Sequence, residues 1–205
     1  MIIDFEQLDK PDAYALMTQA LIPRPIAWIV SANGTGSFNL APFSYFTGVC
    51  STPPLLVVSI GKKRDGTRKD TWVNILERGD FVVNIPPADL VHEVQRSSAP
   101  LPFGESEVDR CNLKLEPMLG SPLPRLSVAQ VAFACRLHEI FEVGDGPQAL
   151  ILGRIERLYV NDSLIRIDSD PKRRYRIDAK RMDPLARLGS DAYATLGSVI
   201  PTPDA

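Results

Sequence analysis

Lys69, Asp70 and Thr71 set a cation, a carboxylate and a hydroxyl side by side, directly ahead of a segment that runs to Gly79 with helical spacing. A helix starting there would aim unpaired N–H groups, and the positive end of its dipole, at whatever lies in front of it. With Lys69 and Thr71 converging on those groups, and Ser59 on the preceding apolar run, the chemistry that fits is the binding of a phosphate. The same residues also suit a plain helix start, with Asp70 and Thr71 as caps and Lys69 in water, so residue types alone leave both readings open. A second polar group lies upstream. Across residues 24–60, Asn33, Gly34, Gly36, Ser37, Asn39, Ser44, Tyr45, Thr47 and Ser51 are interleaved with core-forming residues. Each buried hydroxyl or amide needs a partner, which packing alone does not provide, so a polar ligand is expected beside this segment.

Other chemistries lack their residues. There is no GxSxG elbow, no GxxxxGK[ST] loop and no GxGxxG opening a helix after a strand. His92 and Glu93 lack the second His of HExxH, and Cys50, Cys111 and Cys135 show no CxxC spacing. Neither a metal site nor a disulfide framework is expected, and the thiols should be free. Lys and Arg total 23 against 25 Asp and Glu, a net charge of -2, with no basic block long enough for nucleic acid. The short cluster Lys172, Arg173, Arg174 and Arg176 reads as a solvated face. The acidic start MIIDFEQLDKPDAY has no signal-peptide pattern, and no apolar run approaches the roughly 20 residues of a bilayer span. A cytoplasmic protein with no membrane contact is expected.

The elements that must hold these groups follow from hydrophobic period and punctuation. Residues 12–21 carry Ala13, Leu16, Met17 and Ala20 at helical spacing, stopped by Pro23 and Pro25. A strand over 26–30 turns through Asn33, Gly34 and Gly36 into a strand over 38–46, followed by a buried strand over 55–60. Asp70 is read as the N-cap of a helix over 71–78, with Trp72, Ile75 and Leu76 as its buried stripe and Gly79 as its stop. A strand over 81–85 and a helix over 88–96 come next. Residues 97–124, rich in Pro, Ser and Gly, read as an excursion with little regular structure, of the kind that often serves function. From Val128 a period of two predicts a half-buried strand, and Gly144 to Pro147 turn it into a long apolar strand over 149–160, where Gly153 marks a bulge or a close approach. Core packing is the expectation for at least one of Phe43 and Phe46.

Six segments together resemble the flavin reductase-like family: RPIAWIVSAN, NLAPFSYFTGV, the pair Pro53 and Pro54, KDTWVNI, GDFVVNIP and PLARLGSDAYATLG. They span nearly the whole chain in order. The resemblance implies a mainly β fold, a β-barrel with peripheral helices of the FMN-binding split β-barrel, Greek-key type. It implies one domain over 1–205, with 97–124 as the excursion and 178–205 as a C-terminal extension. FMN is the implied cofactor, with FAD as its alternative, and the flavin rather than a side chain does the chemistry. Its phosphate is implied to meet Ser59, Lys69, the Asp70 backbone and Thr71. Its ring is implied to lie along the strand edge of Asn39, Leu40, Ala41, Pro42 and Ser44, beside Val49, Cys50 and Ser51, with Ser31, Ala32 and Asn33 nearby. Cys50 itself reads as a buried, unreactive thiol. Arg187 and Tyr193 are singled out as a pair of which one closes over the cofactor or anchors a second subunit.

The same resemblance implies a homodimer that takes hydride from NAD(P)H and passes electrons to an oxygenase or another redox protein. With no dinucleotide-binding fold, a nicotinamide would stack only transiently on the flavin. In one respect the chain departs from the pattern. Many family members carry a His after Gly-Asp in the later hairpin, where this chain reads Gly144, Asp145, Gly146 and Pro147, with His138 some residues upstream. That departure counts against efficient NAD(P)H oxidation and keeps a flavoredoxin-like electron carrier as the alternative.

Overall fold

Runs of β-branched and aromatic residues write seven strands: β1 (Ala27–Ala32), β2 (Phe38–Phe43), β3 (Phe46–Ser51), β4 (Pro54–Ile60), β5 (Asp80–Ile85), β6 (Val131–Val143) and β7 (Gln148–Val160). In the computed structural model, which describes residues 1–146, 148–169, 174–189 and 191–201, they form one antiparallel sheet in the order β2-β1-β5-β6-β7-β4-β3. The two edge strands, β2 and β3, are joined only by Ser44 and Tyr45. Three peptide steps reach about 11 Å at most, whereas a flat sheet of seven strands is about 29 Å across. The sheet therefore curls until its edges nearly meet, leaving a seam between β2 and β3. The strand expected over 38–46 breaks at this point because the chain must change edges, and Pro42 has no N–H with which to extend the ladder.

Arg24 fixes the seam. It is buried, its guanidinium donating to the carbonyls of Thr18, of Leu21 at 2.7 Å and of Leu188 at 3.0 Å, and to Ser44 Oγ at 3.4 Å, with Tyr45 stacked 5.8 Å away. One side chain thus ties the edge crossing to α1 (Lys10–Ala20) and to the C-terminal extension, whose Ala186–Arg187 pairs with Arg24–Pro25.

Two cores lie on the two faces of the curled sheet. The inner one joins Ala27, Ile29, Phe81, Val83, Leu56, Val58 and Ile151 with Trp72 and Ile75 of α2 (Asp70–Arg78), which plugs the barrel. Phe43 belongs to this core and Phe46, partly buried, packs against it, where core packing was expected for at least one of the two. The outer one takes the alternate residues Trp28, Val30, Val82, Ala132 and Ala134, and is covered by α3 (Val91–Arg96), α4 (Glu107–Arg110) and the segment that includes Met118 and Leu126. β6 is accordingly buried on both faces over its first half, whereas a half-buried strand was expected. Residues 97–124 form the cover of this second core, with α4 and the two-residue strand Leu115–Glu116 as their only regular elements among the described residues.

Two further expectations, on α2 and on α1, are corrected, and part of a third lies outside the described residues. α2 starts one residue early, at Asp70, and Leu76 is exposed, because the helix buries Thr71 and Asn74 on its other side. α1 buries only Thr18 and leaves Tyr14 and Met17 in solvent, so its apolar stripe is not part of either core. Of the basic cluster, Lys172 and Arg173 lie outside the described residues, as does Pro147 of the hairpin turn, while Arg176 pairs with Asp168.

Gly153 sits where the β6–β7 register shifts. A Cβ there would run into the Phe81 ring and come within 3.3 Å of Cys135 Cβ, both in the inner core. Gly153→Ala is expected to cost about 1–3 kcal/mol of stability, read as a lowered denaturation midpoint in urea; an unchanged midpoint would mean that the barrel wall yields there.

Candidate functional site

Lys69, in extended backbone, is the N-cap of α2, and no side chain caps the helix's first turn. Asp70 does not cap because its carboxylate is ion-paired with Lys63 on the preceding turn. The first N–H groups of α2 therefore point out of the helix unclaimed by a cap. Beside them, burial pushes the Lys69 ammonium below its ordinary pKa. Among the described residues no carboxylate forms an ion pair with it, and its Nζ stands 5.5 Å from the centre of the Phe43 ring. A partly desolvated cation next to an open helix start is a site that gains by taking an anion.

Thr71 belongs to a buried polar lattice. Asn39 Nδ2 donates to Thr71 Oγ1 at 2.9 Å and to Ser31 Oγ at 3.3 Å; Asn74 Nδ2 donates to the same Ser31 at 3.2 Å and to Asn33 Oδ1 at 2.9 Å. Asn33 Nδ2 in turn donates to Ser37 Oγ at 2.9 Å and to the Gly104 carbonyl at 3.4 Å. These amides and hydroxyls satisfy one another, which is what burial demands. They bolt the β1–β2 hairpin to the first turns of α2.

A cleft of about 1080 Å³ opens between these parts. Asn39, Ala41, Pro42 and the start of α2 make its floor, the basic turn 62–68 one wall, and residues 97–103 with Glu107 the other. Along the edge of β2 the backbone is partly claimed. The Phe38 carbonyl accepts from Ser106 Oγ at 2.7 Å, and Leu40 N–H donates to Glu107 Oε2 at 2.9 Å. Ala41 and Pro42 face the cleft beside Asn39, and Pro42 has no hydrogen to offer.

The residues picked out from sequence thus divide. Lys69, Asp70 and Thr71 converge with Asn39, Ala41 and Pro42 on the cleft. Ser31 and Asn33 lie beneath it in the lattice, Ala32 pairs with Phe38 on the hairpin, and the Leu40 side chain is in the outer core. Ser44 is taken up by Arg24, and Ser59 lies on β4, its N–H given to the Tyr45 carbonyl at 2.9 Å. Val49, Cys50 and Ser51 lie on the exposed edge strand β3, across the seam. Cys50 is therefore exposed rather than buried, its thiol donating to the Pro53 carbonyl at 3.1 Å. All three cysteines are free, and no cluster of metal-ligating side chains occurs among the described residues.

The profile of the flavin reductase like domain matches residues 18–173, which include the hairpin, the start of α2 and both cleft walls. The chain belongs to the flavin reductase-like family. It is 32% identical over 201 residues to a protein of Halalkalibacterium halodurans, covering 96% of this chain and 93% of that one. It is similar to the crystal structure of nitrilotriacetate monooxygenase component B from Bacillus cereus, at 33% identity and a TM-score of 0.89 over 98% of each chain. It is also similar to 2-nitrobenzoate 2-nitroreductase from Pseudomonas fluorescens, at 28% identity and a TM-score of 0.86 over 98% of this chain and 95% of that one. A Shewanella frigidimarina structure with a split barrel domain, 21% identical, superposes over 100% of both chains with a TM-score of 0.83. The fold is a split barrel, and the seam between β2 and β3 is its split.

Among the residues that shape the cleft but were not picked out in the sequence are Asn74, which holds its polar lattice, and Glu107, on its wall. Asn74 had a signal: Thr71, Asn74 and Arg78 recur at helical spacing as a polar stripe beside that of Trp72 and Ile75. Glu107 had none, being one acid in an irregular segment. Arg187 and Tyr193 stack with the guanidinium carbon 4.6 Å from the ring, Tyr193 donates to Gln95 Oε1 at 2.7 Å, and neither lines the cleft. His92 and His138 are exposed.

Glu107 makes the cleft sensitive to pH. Burial pushes its carboxyl above the ordinary 4.5, against the pull of the Leu40 N–H. The folded protein then holds this proton more tightly than the unfolded chain, so its contribution is full below the ordinary carboxyl range and is lost as pH rises through the raised value. Glu107→Gln, whose amide oxygen can still accept from Leu40, is expected to flatten that decline. Urea unfolding at a series of pH values reads it; a slope equal to that of the unsubstituted protein would remove Glu107 as the titrating group.

Proposed function

We propose that this protein is an FMN-binding oxidoreductase that takes hydride from NAD(P)H. The observation that carries the reading is the uncapped start of α2 with the uncompensated Lys69 beside it, at one end of a cleft whose floor is the small, N–H-poor edge of β2. These residues fit the cofactor. The α2 N–H groups, Lys69 and Thr71 would hold a phosphate dianion, while Ala41 and Pro42 leave room for a flat ring to lie toward the seam. When bound, the flavin supplies the two-electron chemistry, and the chain's part is to bind, orient and shield it. The nitroreductase and monooxygenase-component relatives support an oxidoreductase of this kind.

A second copy of the chain completes the site in this reading. β3 is an unpartnered edge carrying exposed Val49, and α1 with its following turn leaves Tyr14, Met17, Leu21 and Ile22 exposed. Together they support a homodimer that covers the seam. We place the dimer in the cytoplasm, with an oxygenase component or another redox protein as the electron acceptor. The turn at Gly144 to Gly146, which no His follows, favours a second reading, a carrier that keeps its flavin and trades electrons only with proteins.

Lys69→Ala is expected to weaken FMN about tenfold or more, as loss of a charged hydrogen-bonding partner does, with unchanged thermal stability; equal affinity in a fluorescence-quenching titration would take Lys69 out of the site. For the FMN-loaded protein kept free of oxygen, NADH or NADPH is expected to bleach the flavin's visible absorption. A flavin that stays oxidised with both, and bleaches only with dithionite, would leave the carrier reading standing in place of the reductase.

A further inference from the structure

Glu107 places a carboxyl in the wall of a cleft whose other features suit an anion. It is 6% exposed, yet it lines the same cleft as Lys69 and Thr71. Its place is fixed from two sides: Oε2 accepts from Leu40 N–H at 2.9 Å, and Ser106, the residue before it, donates from Oγ to the Phe38 carbonyl at 2.7 Å. The carboxyl is therefore held at the edge of β2, and whichever charge it carries is carried into the cleft.

The inner charges of the cleft are few. The start of α2 brings buried Asp70 and half-buried Lys69, and the turn 62–68 brings half-buried Lys63, which is paired with Asp70. β2, against which α4 packs, has no titratable side chain. Behind Glu107, burial pushes the Cys111 thiol up and leaves it neutral, with Glu93 and Arg96 of α3 acting on it from beyond. Asp109 and Arg110 of α4 are exposed, as are Lys62, Arg64, Asp65 and Arg68 on the turn, so solvent and salt screen them. With Glu107 protonated, Lys63 and Lys69 outnumber Asp70 and leave the cleft an excess of positive charge. With Glu107 ionised, the four cancel. A phosphate is drawn to the first state and not to the second, and in a partly desolvated cleft a unit of charge counts for far more than in water.

We propose that Glu107 makes flavin uptake proton-linked: the cleft takes the FMN phosphate with Glu107 neutral and loses its hold when Glu107 ionises. This inference rests on the reading that the phosphate sits at the start of α2. The surroundings already lean toward the neutral state. Burial pushes the carboxyl above its ordinary pKa, N–H groups of Leu40 and of Glu107 itself pull it back, Asp70 adds to the push and Lys63 opposes it. An anion arriving beside it favours the neutral form further, so binding takes up a proton, and by reciprocity affinity is full at low pH and falls as pH rises through the Glu107 titration. The phosphate's own second ionisation, near pH 6, acts in the opposite direction and is common to every variant.

The test is the FMN dissociation constant of the unsubstituted protein and of Glu107→Gln, by fluorescence quenching at a series of pH values, with riboflavin as the ligand that lacks the phosphate. The two proteins are expected to agree within about twofold at about pH 5 and to diverge as pH rises, the Gln variant binding FMN about tenfold more tightly at about pH 8. For riboflavin their ratio should stay within about twofold throughout. Calorimetry of the unsubstituted protein in two buffers of unlike ionisation enthalpy needs no variant, and decides alone if Glu107→Gln does not fold: at about pH 7, where the free phosphate is already mostly dianionic, FMN binding is expected to take up protons. The inference is overturned by an FMN ratio that does not change with pH, by a variant that binds FMN more weakly at every pH, by a riboflavin ratio that moves as the FMN ratio does, or by binding without proton uptake. Each of those results leaves FMN bound and the flavin reading standing, whereas a protein that takes up no FMN at any pH would bring down both.

Discussion

Two residues, Ser44 and Tyr45, carry the chain from one edge of a seven-stranded sheet to the other, and everything else is arranged around that short crossing. It forces the sheet to curl, gives the barrel a single seam, and leaves the edge of β2 facing outward where the cleft lies. A junction this tight needs an external hold, and Arg24 supplies it by donating to carbonyls from α1 and the C-terminal extension as well as to Ser44. Burying a guanidinium is costly unless its donors are met, so these contacts are mutually dependent.

Inside the curl, α2 closes the barrel with Trp72 and Ile75 and at the same time presents its first turn to the cleft. These tasks use adjoining sides of one helix. The Asn39, Ser31 and Asn74 lattice holds the polar side at fixed depth, so a helix that is part of the core can also serve as an anion seat. Positioning here comes from hydrogen bonds that are already satisfied without a ligand, which spares a ligand the entropy of ordering them.

Most of the strands were legible in the sequence because β-branched runs bounded by Gly and Pro admit few alternatives, and Gly153 was read correctly as a bulge and a close approach. The start of α2 was legible to within one residue, since its signal is local. What escaped was set by tertiary geometry. The break at Ser44 follows from sheet order, the exposure of Met17 and Leu76 from which elements lie outside the barrel, and the exposure of Cys50 from β3 being an edge. Hydrophobic periodicity cannot tell two-sided burial from one-sided burial in a strand with alanines, and so β6 was assigned only one buried face. Within the site, Asn74 was within reach of a helical-wheel argument, whereas Glu107 acquires its role only when the excursion folds back across β2.

That fold-back also governs how the protein tolerates change. Val108, Met118 and Leu126 of the excursion are core residues, and Gly104 through Glu107 are fastened to the β1–β2 hairpin. Swinging this segment away would uncover the outer core along with the cleft, so it cannot serve as a hinged lid. Freedom to vary in length and composition is left to the five positions from Ala99 to Phe103, at the rim. What the cleft admits can therefore be changed at that rim without disturbing the barrel, its plug or its seam.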